Sequence, residues 1–402
     1  MHATLVLEDG TIVEGEGFGA EREVFGEVVF NTSMSGYQEA LTDPSYNGQI
    51  LMMTYPLVGN YGINKENFES DGIKAEGFVV RENCLMPSHR SSRKTIDEFL
   101  KEYGTPGIAG VDTRALTIKI RKYGTMKGAL KTSPKKIDAG ELLERTKKQK
   151  DISELDLVRE VTCRKIVHHK GEFRNSEASA IDLRSCSRKE AGMNAILSYE
   201  KGRKIVLIDC GLKLSILRNL LKRNCDVTVV PAFTEYKKIL DLDPEGIVIS
   251  NGPGDPMKAD YVIKTLKKLM EEKPMFGICL GNQLLALASG AKTYKLKFGH
   301  RGSNQPVKDL ATGRVYITSQ NHGFAIDAKS LASTGFEVSH FNLNDKTVEG
   351  MRHTELPIFS LQYHPEAHLG PHDSEYLFNE FLKLLSVSSD RERGRSPKFE
   401  GG

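Results

Sequence analysis

One cysteine lies between two glycines where an apolar segment meets a helical pattern. The pentapeptide GICLG (277–281) follows PMF and precedes NQLLALASG, which has the apolar content of a buried helix. A sharp strand-to-helix turn presents such a residue as a nucleophile, and small residues two positions away on either side prevent collisions in the turn. The positive end of the helix dipole favours the thiolate of Cys279. The alternative interpretation is a buried structural cysteine.

A histidine and a glutamate two positions apart are candidate partners for this thiol. His364 and Glu366 follow the apolar run PIFSL. A cysteine hydrolase needs a base and a group that orients the base. We expect His364 to transfer the proton and Glu366 to hold the imidazole tautomer, because residues two apart on an extended strand point to the same side. The alternative for an isolated HPE segment is a polar loop.

A third segment, SNGPGDP (250–256), follows the apolar run GIVI and contains two glycines in a turn. It could place the backbone amide of Gly252 beside that of Leu280, near a developing oxyanion. By itself the segment indicates only a tight loop. However, residues 251–254, 279–281 and 364–366 all fall at the carboxyl ends of predicted strands, where doubly wound sheets bind ligands. Their convergence predicts one site.

The elements that position these residues form an α/β pattern. From 203 to 386, near-continuous apolar strands alternate with helices, which predicts a doubly wound, mostly parallel sheet covered on both faces. Residues 1–150 contain short β-type runs between glycines and amphipathic segments at 95–103 and 114–123, which predict a β-rich α+β domain. We expect a linker at 151–202 and a disordered, polar tail at 387–402.

Composition excludes several classes of protein. The 402 residues include 56 basic and 53 acidic residues, a net charge of +3 that does not indicate nucleic acid as the main partner. Six dispersed cysteines without C-x-x-C spacing argue against a disulfide framework or a zinc ribbon. We interpret His168 and His169, near Cys163, as a solvated loop rather than a metal site. The absence of a long apolar run or signal peptide predicts a cytoplasmic protein without contact with a membrane.

The motifs NGPGDP, GICLGNQ and HPE, in this order, resemble those of class I (triad) glutamine amidotransferases. The rest of the chain resembles the small subunits of glutamine-dependent carbamoyl phosphate synthases over about residues 1–385, less clearly at 163–200. The segments that support this resemblance are GEVVFNTSMSGYQEALTDPSYNGQILMMTYPLVGNYG, GVDTRALT, KFGHRGSNQPV and SQNHGFA.

The resemblance implies that Cys279, His364 and Glu366 form a triad that hydrolyses glutamine to glutamate and ammonia. The residues that it implies for glutamine binding are Ser45, Gly252, Gly254, Leu280, Gln283, Asn321, Gly323 and Phe324. One departure is Asn282, where relatives often have histidine; hydrolysis should survive this change, but a supporting role of the position is in doubt.

The resemblance also implies a partner. The domain at 1–150 would dock on a large subunit that uses ATP and Mg to make carbamoyl phosphate from bicarbonate for arginine and pyrimidine biosynthesis. We expect no cofactor or metal in this chain, which lacks the phosphate-binding motif G-x-x-x-x-G-K-[ST].

Three alternatives remain at this point. The triad alone also fits a glutaminase that serves another synthase, or a free-standing γ-glutamyl hydrolase, although the N-terminal domain argues against both. A scaffold protein with a vestigial triad is a non-enzymatic alternative, against which the presence of all three residues argues.

Overall fold

The computed structural model describes residues 1–171 and 202–392, with side chains up to residue 386. The helices in this part of the chain are α1 (Tyr37–Thr42), α2 (Ile96–Glu102), α3 (Thr113–Tyr123), α4 (Ala139–Lys147), α5 (Val158–Val161), α6 (Leu214–Leu221), α7 (Tyr236–Leu240), α8 (Asp260–Leu269), α9 (Leu280–Ala288) and α10 (Tyr376–Glu392). The strands are β1 (His2–Leu7), β2 (Ile12–Gly19), β3 (Glu23–Asn31), β4 (Gln49–Met53), β5 (Leu57–Val58), β6 (Gly77–Val79), β7 (Glu82–Asn83), β8 (Pro106–Ala109), β9 (Met126–Ser133), β10 (Val167–His169), β11 (Arg203–Asp209), β12 (Cys225–Pro231), β13 (Gly246–Ile249), β14 (Met275–Ile278), β15 (Thr293–Asp309), β16 (Val315–Ile326), β17 (Phe336–Asn342), β18 (Val348–His353) and β19 (Ile358–Leu361).

The N-terminal domain contains a closed barrel. Its strands follow the order β1, β2, β8, β6, β4, β3 and β9. The apolar strand β4 is buried on both sides of the barrel wall: Ile50 and Met52 belong to one hydrophobic cluster, and Leu51 and Met53 to another. This alternation is the period of two that an extended strand imposes on its side chains. Both faces of β4 are therefore buried, as expected for an apolar strand in the β-rich part of the sequence.

The C-terminal domain contains a sheet in the order β10, β12, β11, β13, β14, β19, β18, β17, β15 and β16. The five strands from β12 to β19 are parallel, and the flanking strands pair antiparallel. Helices cover both faces, since Ile205 and Leu207 of β11 pack in the cluster that includes α6 and α10, whereas Val206 and Ile208 pack in the cluster that includes α8 and α9. The predicted α/β fold class is confirmed.

The structure differs from the sequence expectations in three segments. His168 and His169 lie in the edge strand β10, paired with β12, rather than in a loop. Strand β15 was not predicted, because Gly299, Gly302 and Pro306 interrupt its pattern. Helix α10 continues to Glu392, beyond the predicted end of the domain.

The rest of the predicted linker (172–201) and of the predicted tail (393–402) lies outside the described residues, and the domain boundaries stay a prediction. In the described part of the chain, no helix is both long and apolar enough to cross a membrane.

Glu69 joins the two domains at the start of α6. Its carboxylate accepts hydrogen bonds from the backbone N–H of Ser215 (3.1 Å) and from the hydroxyl of Ser215 (2.6 Å), and its backbone carbonyl accepts from the N–H of Leu214 (2.8 Å). The first N–H groups of a helix have no acceptor within the helix, so this carboxylate caps α6 from the other domain. Complete burial raises the pKa of Glu69 to about 7, although nearby Lys213 opposes the shift.

This raised pKa predicts a pH-dependent stability. The carboxyl group of Glu69 has a pKa of about 7 in the folded state and 4.5 when unfolded. Its contribution to the free energy of unfolding is therefore largest when the pH is below the unfolded pKa. About 3 kcal/mol of that contribution is lost as the pH rises through the folded pKa. In the variant Glu69→Gln, the glutamine side chain cannot ionise. The free energy of unfolding of this variant, relative to that of the parent, should therefore increase between about pH 5 and about pH 8.

Urea unfolding followed by circular dichroism at both pH values would measure this change. Glu66→Gln, at an exposed position of the same segment, is the matched control. A stability difference between Glu69→Gln and the parent that does not change with pH would contradict the assigned pKa.

Candidate active site

Cys279 lies in the turn between β14 and α9. Its backbone has φ 54° and ψ −102°, a conformation that residues with side chains rarely adopt. A Cβ on Gly277 would lie 2.7 Å from the carbonyl oxygen of Gly281, and one on Gly281 would lie 2.4 Å from that of Ile249. The turn therefore requires both glycines. The N–H of Cys279 donates to the carbonyl of Leu361 (2.7 Å), which fixes the turn against β19.

His364 and Glu366 follow β19 and form a buried pair. The distance from His364 Nδ1 to Glu366 Oε1 is 2.6 Å, so the imidazole donates through Nδ1 and its Nε2 is left for another partner. Nε2 makes no aligned hydrogen bond to the described residues, but the Cys279 thiol is close enough to affect the pKa of the imidazole. Hydrogen bonds between catalytic groups often tighten only when substrate is bound.

The electrostatics of this pair favour the charged forms. Burial lowers the pKa of His364, but the charge of Glu366 outweighs burial and the pKa is raised to about 10. Burial raises the pKa of Glu366, but the charges of Lys213 and His364 lower it to about 2. The site therefore holds a histidinium against a carboxylate.

Lys213, immediately before α6, was not predicted from the sequence. Its Nζ lies 3.0 Å from Glu366 Oε1 and donates to the backbone carbonyls of Ala367 (3.1 Å) and His368 (2.8 Å). Burial lowers the pKa of Lys213, whereas the charges of Glu366 and Glu69 raise it above its ordinary value. The ammonium is thus kept charged and fixes the segment that contains the carboxylate.

The structure brings the sequence-predicted binding residues together. Cys279 and all eight residues proposed for glutamine binding line one cavity: Ser45, Gly252, Gly254, Leu280, Gln283, Asn321, Gly323 and Phe324. Ser45 comes from the N-terminal domain and the other seven come from the C-terminal domain. His364 lines a neighbouring cavity, of which Asn321 is also part. The cavity beside the thiol is therefore completed by both domains.

Asp43 connects the domains at this cavity and was also missed. Its Oδ2 accepts from the side-chain amide of Asn321 (2.9 Å), and its Oδ1 accepts from the N–H of Ser45 (2.9 Å). The hydroxyl of Ser45 in turn accepts from the side-chain amide of Asn251 (2.9 Å). The DPS sequence predicts the local turn by its aspartate before proline, but no local pattern indicates the contacts with Asn321 and Asn251.

Gln362 is a further residue that sequence reasoning missed, although it adjoins the HPE motif. Its Oε1 accepts from Asn282 Nδ2 (3.1 Å) and from Gln283 Nε2 (3.0 Å), which directs its own amide nitrogen toward Cys279 Sγ, 3.7 Å away. Asn282 is itself held by the hydroxyl of Ser360 (2.8 Å). Asn282 thus helps to orient an N–H donor that can stabilise a thiolate.

We predict that Gln362→Leu slows the reaction of Cys279 with iodoacetamide and with glutamine. A hydrogen bond to a charged group contributes about 1.5–3 kcal/mol, so the rate of thioester formation should fall by about 10- to 100-fold. Stopped-flow measurement at constant pH would determine both rates, with Gln149→Leu, at an exposed position in the N-terminal domain, as the control. Unchanged rates in Gln362→Leu would show that Gln362 only fills space.

Comparisons with known proteins agree with this fold. Residues 206–384 match the family model for class-I glutamine amidotransferases, so the C-terminal domain belongs to that class. Residues 5–130 match the model for the CPSase domain of the carbamoyl-phosphate synthase small chain.

Nearly full-length relatives define the family. The chain is 55% identical over 386 residues to the carbamoyl phosphate synthase small chain of Methanocaldococcus jannaschii, covering 96% of this chain and 99% of the relative. It is 53% identical over 385 residues to that of Archaeoglobus fulgidus, with the same coverage. The chain belongs to the carbamoyl phosphate synthase small chain family, the amidotransferase subunits of the glutamine-hydrolysing synthase, and the predicted resemblance is confirmed.

A solved structure similar to part of the chain is that of a glutamine amidotransferase from Thermotoga maritima. It has a TM-score of 0.34 and 16% identity, and the match covers 48% of this chain and 85% of that one.

Proposed function

We propose that this chain hydrolyses glutamine through Cys279, His364 and Glu366 and passes the ammonia to a separate ATP-dependent large subunit. The observation that best supports this proposal is the cavity in which the nucleophile meets all eight proposed glutamine-binding residues. The ion pair of His364 and Glu366 lies beside it. A scaffold with a vestigial triad would have no need for this arrangement.

Hydrolysis begins with attack by the Cys279 thiolate on the side-chain carboxamide carbon of glutamine. A C–S bond forms, and the carbonyl oxygen becomes an oxyanion near the backbone amides of Leu280 and Gly252. Leu280 is the first residue of α9, so its N–H has no acceptor within the helix. The histidinium of His364 then gives its proton to the departing ammonia, and the C–N bond breaks to leave a γ-glutamyl thioester.

The second half of the reaction reverses the proton transfer. His364, now neutral, takes a proton from water, which attacks the thioester; the C–S bond breaks, glutamate leaves, and the Cys279 thiolate and the histidinium are restored. Glu366 and Lys213 act through His364: the carboxylate fixes the tautomer and stabilises the charged imidazole, and the ammonium fixes the carboxylate. No step requires a cofactor or metal.

The contribution of Ser45 favours a synthase subunit over a free-standing γ-glutamyl hydrolase. This residue of the N-terminal domain lines the glutamine cavity, so the site depends on a domain whose own match is to a synthase small chain. Ammonia in neutral water is mostly protonated and non-nucleophilic, so it must be delivered directly to the partner. We propose that the large subunit, with ATP and Mg, combines it with bicarbonate to make carbamoyl phosphate for arginine and pyrimidine biosynthesis in the cytoplasm.

Replacing the nucleophile tests the reaction. In the complex, Cys279→Ser should reduce glutamine-dependent synthesis by at least about 1,000-fold, because no thioester can form, whereas synthesis from added ammonia should persist. Cys84→Ser, in the N-terminal domain, is the matched control and should retain both activities. Loss of both activities in Cys279→Ser would indicate failed assembly, and retained glutamine use would exclude Cys279 from the mechanism.

Mixing the chain with its candidate large subunit tests the partnership. We expect one shared peak in size-exclusion chromatography, slow glutamine hydrolysis by the isolated chain, and faster hydrolysis when the complex receives ATP and bicarbonate. Separate peaks, together with an isolated chain as fast as the mixture, would favour the free-standing hydrolase.

A further inference from the structure

Two histidines face each other on neighbouring strands behind the glutamine cavity. His300 of β15 and His322 of β16 are direct cross-strand partners, and their ring centroids are 5.0 Å apart. Direct partners in an antiparallel pair project from the same face of the sheet. Both side chains are buried.

Glu349 of β18 completes this cluster. In the pairing of β17 with β18, His340 faces Gly350 and Phe341 faces Val348, so Glu349 is the extra residue of a β-bulge. A bulge changes the direction of a side chain. The buried carboxylate places Oε1 3.3 Å from His300 Nδ1 and 3.9 Å from His322 Nε2.

The inner atoms of this cluster lack good hydrogen-bond partners. Within the described residues, His300 Nδ1 and Glu349 Oε2 are buried without an aligned partner. Among the residues that the structure describes, the hydrogen bond to Glu349 Oε1 is a long one, from the hydroxyl of Thr347 (3.3 Å). Buried polar atoms without partners are costly, so their presence requires an explanation.

The outer nitrogens of both rings are anchored in the way that is typical of metal-bound histidines. His300 Nε2 lies 2.8 Å from Asp345 Oδ2, and His322 Nδ1 lies 2.8 Å from the carbonyl of Phe324. Since a carbonyl only accepts, His322 has its hydrogen on Nδ1 and a lone pair on Nε2. The oxygen of Gln320, 3.2 Å from Nε2, cannot donate to that lone pair. Such outer contacts set the tautomer and orientation of a metal ligand.

We propose that His300 Nδ1, His322 Nε2 and the Glu349 carboxylate bind one divalent transition metal ion, best suited to Zn²⁺. Two imidazole nitrogens and one carboxylate are a common zinc ligand set, with a fourth position for water. The candidate ligand atoms lie within 4.8 Å of one another. In a tetrahedral zinc site with Zn–ligand bonds of about 2.0–2.1 Å, neighbouring ligand atoms lie about 3.3 Å apart. A small rotation of the three side chains would bring their ligand atoms to this separation.

The carboxylates of Glu349 and Asp345 both contact His300, and a divalent ion balances two negative charges where a single proton on His300 balances only one. The charges of Arg301 and His364 act on His322 and oppose a cation there, so the geometry of the ligands carries the proposal. The competing explanation is that a doubly protonated His300 ring, rather than a metal, bridges the two carboxylates, with Nδ1–H toward Glu349 and Nε2–H toward Asp345. No metal was predicted from the sequence, because ligands at positions 300, 322 and 349, on three separate strands, produce no local spacing pattern.

Bound metal would act as a positioning element, not as a catalyst. His322 lines the proposed glutamine cavity together with its neighbours Asn321 and Gly323. Fixing His322 would therefore fix this segment of β16. The proposal concerns binding of the ion and does not depend on the proposed glutaminase activity.

Calorimetric titration of ZnCl₂ into the chelator-treated full chain tests the proposal, in a Cys279→Ser background that removes the thiol of the active site as a competing ligand. We expect one Zn²⁺ per chain and a higher midpoint of thermal unfolding with zinc. Glu349→Gln should lose this binding. Asp345→Asn leaves all three ligands in place and should weaken Zn²⁺ binding by about 10- to 100-fold. This second variant keeps the test valid if Glu349→Gln fails to fold.

Two controls identify the site. His372→Gln changes an exposed histidine that pairs with Glu375 and should bind Zn²⁺ like the background. Co²⁺ as a probe should give the visible bands of a four-coordinate site without thiolate charge transfer. Absence of stoichiometric binding, binding that is unchanged in Asp345→Asn, or a thiolate spectrum would overturn the proposal, and the first outcome would assign the cluster to a proton bridge.

Discussion

A lysine ammonium and a glutamate carboxylate, both fully buried, meet behind the candidate catalytic histidine. A buried ion pair is expensive to desolvate, and further hydrogen bonds offset part of that cost. Here the Lys213 ammonium also donates to two backbone carbonyls, and Glu366 Oε1 also accepts from His364, whereas Glu366 Oε2 is buried without a hydrogen-bond partner among the described residues. The backbone N–H of Lys213 donates to the side chain of Asn251 (3.0 Å) in the neighbouring loop. The orientation of the imidazole thus depends on contacts that originate at the start of α6.

The N-terminal domain supports the start of α6 and the wall of the cavity, although none of its residues belongs to the candidate triad. Glu69 caps α6, and Asp43 binds both the Ser45 backbone and the Asn321 side chain. Movement between the domains would therefore disturb the Lys213 ammonium and the wall of the cavity together. This arrangement gives a partner docked on the N-terminal domain a physical route to the triad, through the capped helix and through Asp43.

Local patterns predicted most of the strands and helices and the three residues of the candidate triad, because these depend on short-range constraints. The turn at Cys279 requires glycines two positions away, and His364 and Glu366 are neighbours in the chain. Contacts between distant segments were missed: Lys213 looked like an ordinary residue near a helix, although its partner is more than 150 positions away. Strand β15 was missed because its glycines resemble loop signals, while its long pairing with β16 overrides them. Burial and pairing partners, rather than local propensity, decide such positions.

Strand β16 is where these constraints converge on the reacting sulfur. The carbonyl of Asn321 lies 3.6 Å from Cys279 Sγ, and its side-chain amide is held by Asp43. Three residues further, the carbonyl of Phe324 accepts from both Gln283 (2.8 Å) and His322. A carbonyl beside the sulfur can accept from a thiol but repels a thiolate, whereas the amide of Gln362 can donate to the thiolate. Formation of the thiolate therefore replaces one favourable contact with another, and a rigid β16 makes that exchange possible without moving the wall of the cavity.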